Sequence, residues 1–196
     1  MTDDEHPQLT ELRELDQVYQ PAEDSHLLAS TAAADIDGGA SVLDVGTGAG
    51  YVADYIREES GASVVGVDLN PMACEQARGR DLAVLRGDLV SPFRAATFDV
   101  VCFNPPYLPD APEGVWDDWM EQAITGGEDG RAVIREFLAD VGRVLRPDGS
   151  VYLLISTVTG LEDVRSLAAD NGFGSKVIAE KSESFETLIV LRLSPE

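Results

Sequence analysis

From residue 41 onward, short β-branched and apolar runs alternate with stretches of helical periodicity, and this alternation constrains the fold more than any other feature. The runs Val42–Val45, Val64–Val67, Ala83–Leu85, Phe98–Phe103, Val151–Ile155, Val177–Ala179 and Thr187–Leu191 predict seven strands. Helices are predicted over Ser25–Ala34, Tyr51–Glu59, Met72–Arg78, Ala132–Leu145 and Glu162–Asp170, with stop signals at Gly61, Pro147-Asp148-Gly149 and Asn171-Gly172. Apolar strands separated by helices call for a mainly parallel sheet covered on both faces, because each crossover lays a helix over the sheet. Only the polar residues Glu180 to Ser184 separate the last two runs. A link that short joins antiparallel neighbours, so one terminal strand should run against the others. The expectation is one doubly wound α/β domain over residues 1–196, with the polar residues 1–15 a frayed end.

The first run leads into Val42-Leu43-Asp44-Val45-Gly46-Thr47-Gly48-Ala49-Gly50, a strand entering a glycine-rich turn that opens a helix. Glycines there let a ligand approach the backbone where Cβ atoms would block it. A dinucleotide fingerprint would place its last glycine at residue 51, where this chain has Tyr51. Asp44 is an acid inside a strand that packing alone would fill with an apolar residue. Asp68 ends the second strand, where a carboxylate can accept the hydroxyls of a ribose. Asp88 follows the third, where it can accept from an adenine amino group or cap a turn. Carboxylates at three successive strand ends repel a pyrophosphate but tolerate an adenosine with a cationic tail.

The fourth run, Phe98–Phe103, passes directly into Asn104-Pro105-Pro106-Tyr107. An amide nitrogen is a poor nucleophile because its lone pair is delocalised, so a site using one must aim it and accept hydrogen bonds from its protons. The Asn104 side-chain oxygen and the Pro105 carbonyl are two such acceptors on a turn stiffened by Pro105 and Pro106. Tyr107 offers an aromatic face to a planar group. Downstream, Pro105 to Gly130 carries no long periodic pattern, and a loop of that length is usually functional or disordered. Trp116 and Trp119 either join the core or face a substrate from that loop.

Charge narrows the partners. Against 36 Asp and Glu stand 14 Lys and Arg, a net charge of −22. A surface this acidic suits molar salt, where screening shortens electrostatic range to about 3 Å, or else a basic partner. Either way it lacks the basic footprint of a nucleic-acid binder. Cys74 and Cys102 form no Cys-x-x-Cys pair, which excludes an intrinsic zinc ribbon and fits a reducing cytoplasm, with both thiols buried as small hydrophobes. No segment has the basic and apolar regions of a secretory signal or the length of a membrane span.

On these residues the chain resembles the HemK-like glutamine methyltransferases, and within them the archaeal and eukaryotic branch acting on class-1 translation termination factors. The resemblance spans roughly residues 18 to 192. Its markers are Val18-Tyr19-Gln20-Pro21-Ala22-Glu23-Asp24-Ser25, Asp44-Val45-Gly46-Thr47-Gly48, Asn104-Pro105-Pro106-Tyr107 and Gly126-Gly127-Glu128-Asp129-Gly130-Arg131. It implies a seven-stranded class I methyltransferase (Rossmann-like) fold and S-adenosyl-L-methionine as cofactor. Ser25, Asp44, Gly46, Gly48, Asp68, Asp88, Leu89 and Asn104 would contact that cofactor. Asn104, Pro105, Pro106 and Tyr107 would hold the substrate, with Asn104, Pro105 and Tyr107 catalytic and no metal involved. Ser25 stands where the family pattern has threonine and keeps the hydroxyl. The implied substrate is the glutamine of a Gly-Gly-Gln motif in the archaeal release factor, methylated at N5. The implied partner is a small zinc-binding activator protein seated on an exposed third strand, Leu82 to Leu85. Together with the charge, the resemblance points to a haloarchaeal source. The competing reading is N6-methylation of adenine in DNA or RNA, since the same tetrapeptide serves exocyclic base amines; lysine methylation of other proteins stands as a side activity.

Overall fold

The computed structural model describes Val18, residues 20–108 and residues 125–196. The expected frayed end over 1–15 and the middle of the long loop, with Trp116 and Trp119, lie outside the described residues. The elements run α1 (Glu23–Ala33), β1 (Ser41–Val45), α2 (Tyr51–Ser60), β2 (Ser63–Asp68), α3 (Pro71–Arg78), β3 (Ala83–Arg86), β4 (Phe98–Phe103), α4 (Ala132–Val144), β5 (Leu145–Ser156), α5 (Leu161–Asp170), β6 (Phe173–Ser182) and β7 (Thr187–Pro195). All seven strands join one sheet in the order β3-β2-β1-β4-β5-β7-β6. The pairs from β3 to β5 are parallel, and β7 is antiparallel to both of its neighbours. This is the class I methyltransferase arrangement the sequence predicts.

The period of two within the strands sorts the core into two layers. Val42, Val100, Cys102, Tyr152, Leu154 and Val190 face Leu28 of α1, Val52 and Ile56 of α2 and Ala77 of α3. Leu43, Val45, Val101, Phe103, Val151, Leu153, Ile155 and Leu191 face Ile134, Phe137, Leu138 and Val141 of α4 and Val164 of α5. The Phe103 and Phe137 rings meet with centroids 4.6 Å apart, tilted by 50°. Both cysteines are buried and unbonded to each other.

Element ends differ from expectation where polar residues take part in pairing. β5 begins at Leu145, opposite Phe98, and shifts register before Val151 pairs with Val101. The Pro147-Asp148-Gly149 signal therefore falls inside the extended segment rather than at a helix end. β6 spans Phe173–Ser182 because it pairs with β7 along its whole length, whereas its outer edge leaves only Val177–Ala179 apolar enough to read as a strand. The hairpin turn accordingly lies at Glu183–Glu186, later than Glu180–Ser184, closed by Glu183 N donating to Glu186 O at 2.8 Å. At the opposite edge, Leu85 is exposed but Leu82 is buried beneath the glycine turn, so the open apolar edge does not include Leu82.

Beyond β3 the chain returns to β4 on the other side of β1, so the strand order reverses between β1 and β4. In open α/β sheets the crevice at such a reversal, outside the carboxyl ends of the strands, is where ligands bind. Val45 is in register with Phe103, which starts the glycine turn and the Asn104 tetrapeptide at the same level.

Candidate active site

At that crevice lies a cavity of about 620 Å³ lined by all of the site residues predicted from the sequence, from Ser25 on α1 to Tyr107 after β4. Its cofactor side is built around the turn after β1. Gly50 has φ +84°, and a Cβ there would lie 2.7 Å from Leu82 Cδ1 and 3.0 Å from Ala77 Cβ, so only glycine lets α2 begin this close to α3. Thr47 N donates to Val67 O at 3.0 Å, tying the turn to β2. Gly66, in β2, makes room for the Thr47 side chain: a Cβ there would approach Thr47 Oγ1 and Cγ2 to 2.9 Å.

Asp44 is buried and accepts from Thr47 Oγ1 at 2.7 Å. Burial pushes its carboxyl up to about 7, against the Thr47 hydroxyl and the Ala53 amide, with the nearby Asp68 adding to the rise. Asp68 is held by backbone on both oxygens: Gly48 N donates to Oδ2 and Asn70 N to Oδ1, each at 2.8 Å. Burial raises its pKa as well, offset in part by those amides. Asn70 itself caps α3, its Oδ1 accepting from Met72 N at 2.9 Å ahead of Pro71 at the first helical position. Asp88 is exposed on the loop after β3. Leu89 beside it has φ +45°, a conformation leucine rarely adopts outside functional or over-determined sites.

The other side of the cavity is built on β4. Asn104 Nδ2 donates to Asp24 Oδ2 at 3.2 Å, while Asn104 Oδ1 is buried and accepts no hydrogen bond from any described residue. Asp24 and Ser25 come from the first turn of α1, both buried, with Ser25 N donating to Asp24 Oδ1 at 2.5 Å. Burial raises the Tyr107 hydroxyl well above the usual phenol range, and the carboxylates of Asp24 and Glu186 add to the rise. Tyr107 is therefore a neutral phenol throughout the working pH range. The segment Gly126–Arg131 buttresses the tetrapeptide: Gly126 N donates to Leu108 O at 2.8 Å, and a Cβ on Gly126 would lie 2.6 Å from Pro106 O and 2.5 Å from Gly130 O. Arg131 fastens this segment to the loop before α5 through Thr159 O at 2.6 Å, and to the first turn of α5 through Asp163 at 3.2 Å.

Reasoning from sequence overlooked Asp24, Thr47, Asn70 and Glu186, which also line the cavity. Asp24 and Thr47 lie within the motifs quoted for the resemblance, so their positions carried a signal. Glu186 sits in a hairpin turn and carried none.

The cavity suits an adenosyl cation. Its acids face the ligand space from three strand ends, its turn brings backbone amides close, and a buried carboxyl poised near neutrality gains a partner when a positive charge enters. A family described as a methyltransferase domain matches residues 42–125. A protein of Methanocaldococcus jannaschii named as a protein N5-glutamine methyltransferase is 32% identical over 183 residues, covering 89% of this chain and 90% of its own. The chain belongs to the HemK-like protein-glutamine N5-methyltransferase family. Human methyltransferase HEMK2 is 31% identical over 191 residues, covering 90% of this chain and 89% of its own. Among solved structures, the E. cuniculi Mtq2–Trm112 complex, described as responsible for methylating the eRF1 translation termination factor, superposes with a TM-score of 0.75 at 28% identity. That match covers 92% of this chain and 99% of the solved one. The chain is thus an S-adenosylmethionine-dependent methyltransferase. Among the described residues no helix is long and apolar enough to cross a membrane.

Proposed function

We propose that this methyltransferase modifies N5 of the glutamine in the Gly-Gly-Gln motif of the archaeal class-1 release factor. The observation that carries the reading is Asn104 Oδ1, a buried acceptor at the cavity wall to which no described residue donates. A buried acceptor left unpaired costs about 1 to 3 kcal/mol, so the site is built for a ligand that brings an N–H.

The cofactor supplies a methyl group made electrophilic by its sulfonium. Ser25, Asp44, Gly46, Gly48, Asp68, Asp88, Leu89 and Asn104 are the residues we assign to hold it. Asn104 Oδ1 and the Pro105 carbonyl accept the two protons of the substrate amide, which orients its nitrogen and favours the positive charge that grows on it during attack. Pro105 and Pro106 keep those acceptors from relaxing away, and the neutral Tyr107 ring lies against the amide plane. The surplus proton leaves to solvent after transfer. Glycines before the glutamine admit the substrate backbone to a narrow site without side-chain clashes.

A small zinc-binding activator is the proposed partner; in support, the E. cuniculi relative Mtq2 is described in complex with a second protein, Trm112. We place it on β3, the edge strand, where Leu85 and neighbouring Leu69 are 46% and 47% exposed. Covering such an edge removes an aggregation hazard. The acidic surface suits a haloarchaeal cytoplasm, where screening tempers a net charge of −22.

The test is methyl incorporation from labelled cofactor into release factor, its Gln→Ala variant, tRNA and DNA, with and without activator, across salt concentrations. Label confined to the factor and lost with the glutamine is expected. Incorporation into nucleic acid that rivals the factor overturns the substrate assignment.

A further inference from the structure

The orphaned oxygen of Asn104 raises a question its own motif does not answer: what keeps the amide from turning over. An asparagine side chain presents an oxygen and an NH₂ of nearly equal shape, and rotation by half a turn would put two donors toward the substrate instead of an acceptor. Asp24 settles this chemically. Its carboxylate offers acceptors only, it is 5% exposed, and its Oδ2 lies 3.2 Å from Asn104 Nδ2. In the reverse orientation Asn104 Oδ1 would face Asp24 Oδ2, two acceptors in contact away from water. Asp24 is held in turn, since its Oδ1 accepts from Ser25 N at 2.5 Å and from Ser25 Oγ at 3.2 Å, so the carboxylate cannot rotate to accommodate a flipped amide. The two residues are 80 apart in sequence, one on the first turn of α1 and one at the end of β4.

We infer that Asp24 is a positioning residue: it fixes the rotational state of the Asn104 amide so that Oδ1, and not Nδ2, faces the substrate. A carboxylate can do this and its amide isostere cannot, because Asp24→Asn accepts or donates toward either end of Asn104 and lets both orientations coexist. The same contact gives the buried start of α1 a catalytic reason for its acid. The inference rests on the proposed amide chemistry for its consequence, but the orientation itself is a property of the protein alone.

The experiment has two arms. In the first, the Asn104 side-chain NH₂ signals of ¹⁵N-labelled full-length protein, identified by their loss in Asn104→Ala, are followed without cofactor. A slowly exchanging proton shifted downfield is expected in the wild type. Exchange as fast as that of solvent-exposed asparagines overturns the inference, whether or not any Asp24 variant folds. The second arm is a kinetic cycle on the complete enzyme with activator and release factor. Asp24→Asn should lower kcat by roughly 100-fold, the scale of losing one aimed group, with the KM for the factor and the cofactor Kd changed less than about 3-fold. Because Asp24 acts through Asn104, the double variant should be no slower than Asn104→Ala alone. Losses that multiply, or an Asp24→Asn enzyme with wild-type kcat, overturn the inference. A wild type that leaves the release factor unlabelled would instead sink the substrate reading, while the spectroscopic arm still decides the orientation.

Discussion

Thr47 Oγ1 donates a 2.7 Å hydrogen bond to Oδ2 of Asp44, a carboxyl buried within the parallel half of the sheet. Among the described residues this is the one side-chain donor that holds the Asp44 pKa down against burial, and it leaves the group at about 7 rather than higher. Asp44 titrates near 3.8 in the unfolded chain, so the folded state binds its proton more tightly. The contribution of Asp44 to stability is therefore greatest below about pH 4 and declines as pH rises to about 7, by about 4 kcal/mol in all. Asp44→Asn removes that decline. In thermal melts without cofactor, the variant's midpoint relative to wild type should be more favourable at pH 8 than at pH 5. A difference independent of pH would mean that Asp44 is ionised without penalty.

Gly66→Ala tests the support beneath that hydrogen bond. The new Cβ would press on Thr47 Cβ, Cγ2 and Oγ1 at 2.9 to 3.0 Å, so the threonine must turn or shift away from Asp44. Overpacking of this kind costs about 1 to 3 kcal/mol. Calorimetric titration should find cofactor affinity at pH 7.5 reduced about 10-fold or more, for an effect of about 1.4 kcal/mol or above. Thr47→Val should weaken binding in the same direction without the steric strain.

Asp68→Ala should weaken both binding and fold. Its carboxylate accepts from Gly48 N and Asn70 N, which lie in the turns after β1 and β2, so deletion leaves two amides unpaired as well as removing the proposed ribose contact. Charge-assisted bonds of this type are worth about 1.5 to 3 kcal/mol each, partly recovered where water can enter. A raised dissociation constant in calorimetry together with a lower melting temperature is expected. Unchanged affinity would place the ribose ligand elsewhere.

Gly126→Ala should separate turnover from cofactor binding. The added methyl meets backbone oxygens of Pro106 and Gly130 rather than a movable side chain, so the tetrapeptide or the buttress must shift. A displacement on the scale of 1 Å at a reacting group can cost about 100-fold in rate. Steady-state kinetics should show kcat lowered with cofactor Kd little altered; wild-type kcat would show that the tetrapeptide holds its place unaided.

What could be read from the sequence was local. The glycine turn, the acids at strand ends and the Asn-Pro-Pro-Tyr segment each state their backbone chemistry within a few residues, and the seven apolar runs each became a strand of the sheet. Contacts joining distant segments could not be read. Asp24 meeting Asn104 depends on α1 packing beside the end of β4, and Glu186 reaches the cavity only because β7 turns back beside β5. Leu82 reads as part of an exposed strand, Leu82 to Leu85, because the resemblance implies a partner seated on an apolar edge there. Its burial follows from Gly50, whose missing side chain leaves the space that Leu82 fills.

β7 follows β6 in the chain yet lies between β5 and β6 in the sheet. A ribosome therefore releases both flanking strands before the one that joins them. Until Thr187–Pro195 emerges, β5 presents Val151–Ile155 along an unpaired edge, residues that the finished sheet buries almost completely. A chain interrupted before Thr187 would contain nearly every residue of the cavity and still lack the strand that closes the sheet over its apolar centre. Its fate is set by exposed strand edges, which recruit other chains, more than by any loss at the site itself. For this enzyme the vulnerable interval of biosynthesis falls at the β6–β7 hairpin, far in sequence from Asn104.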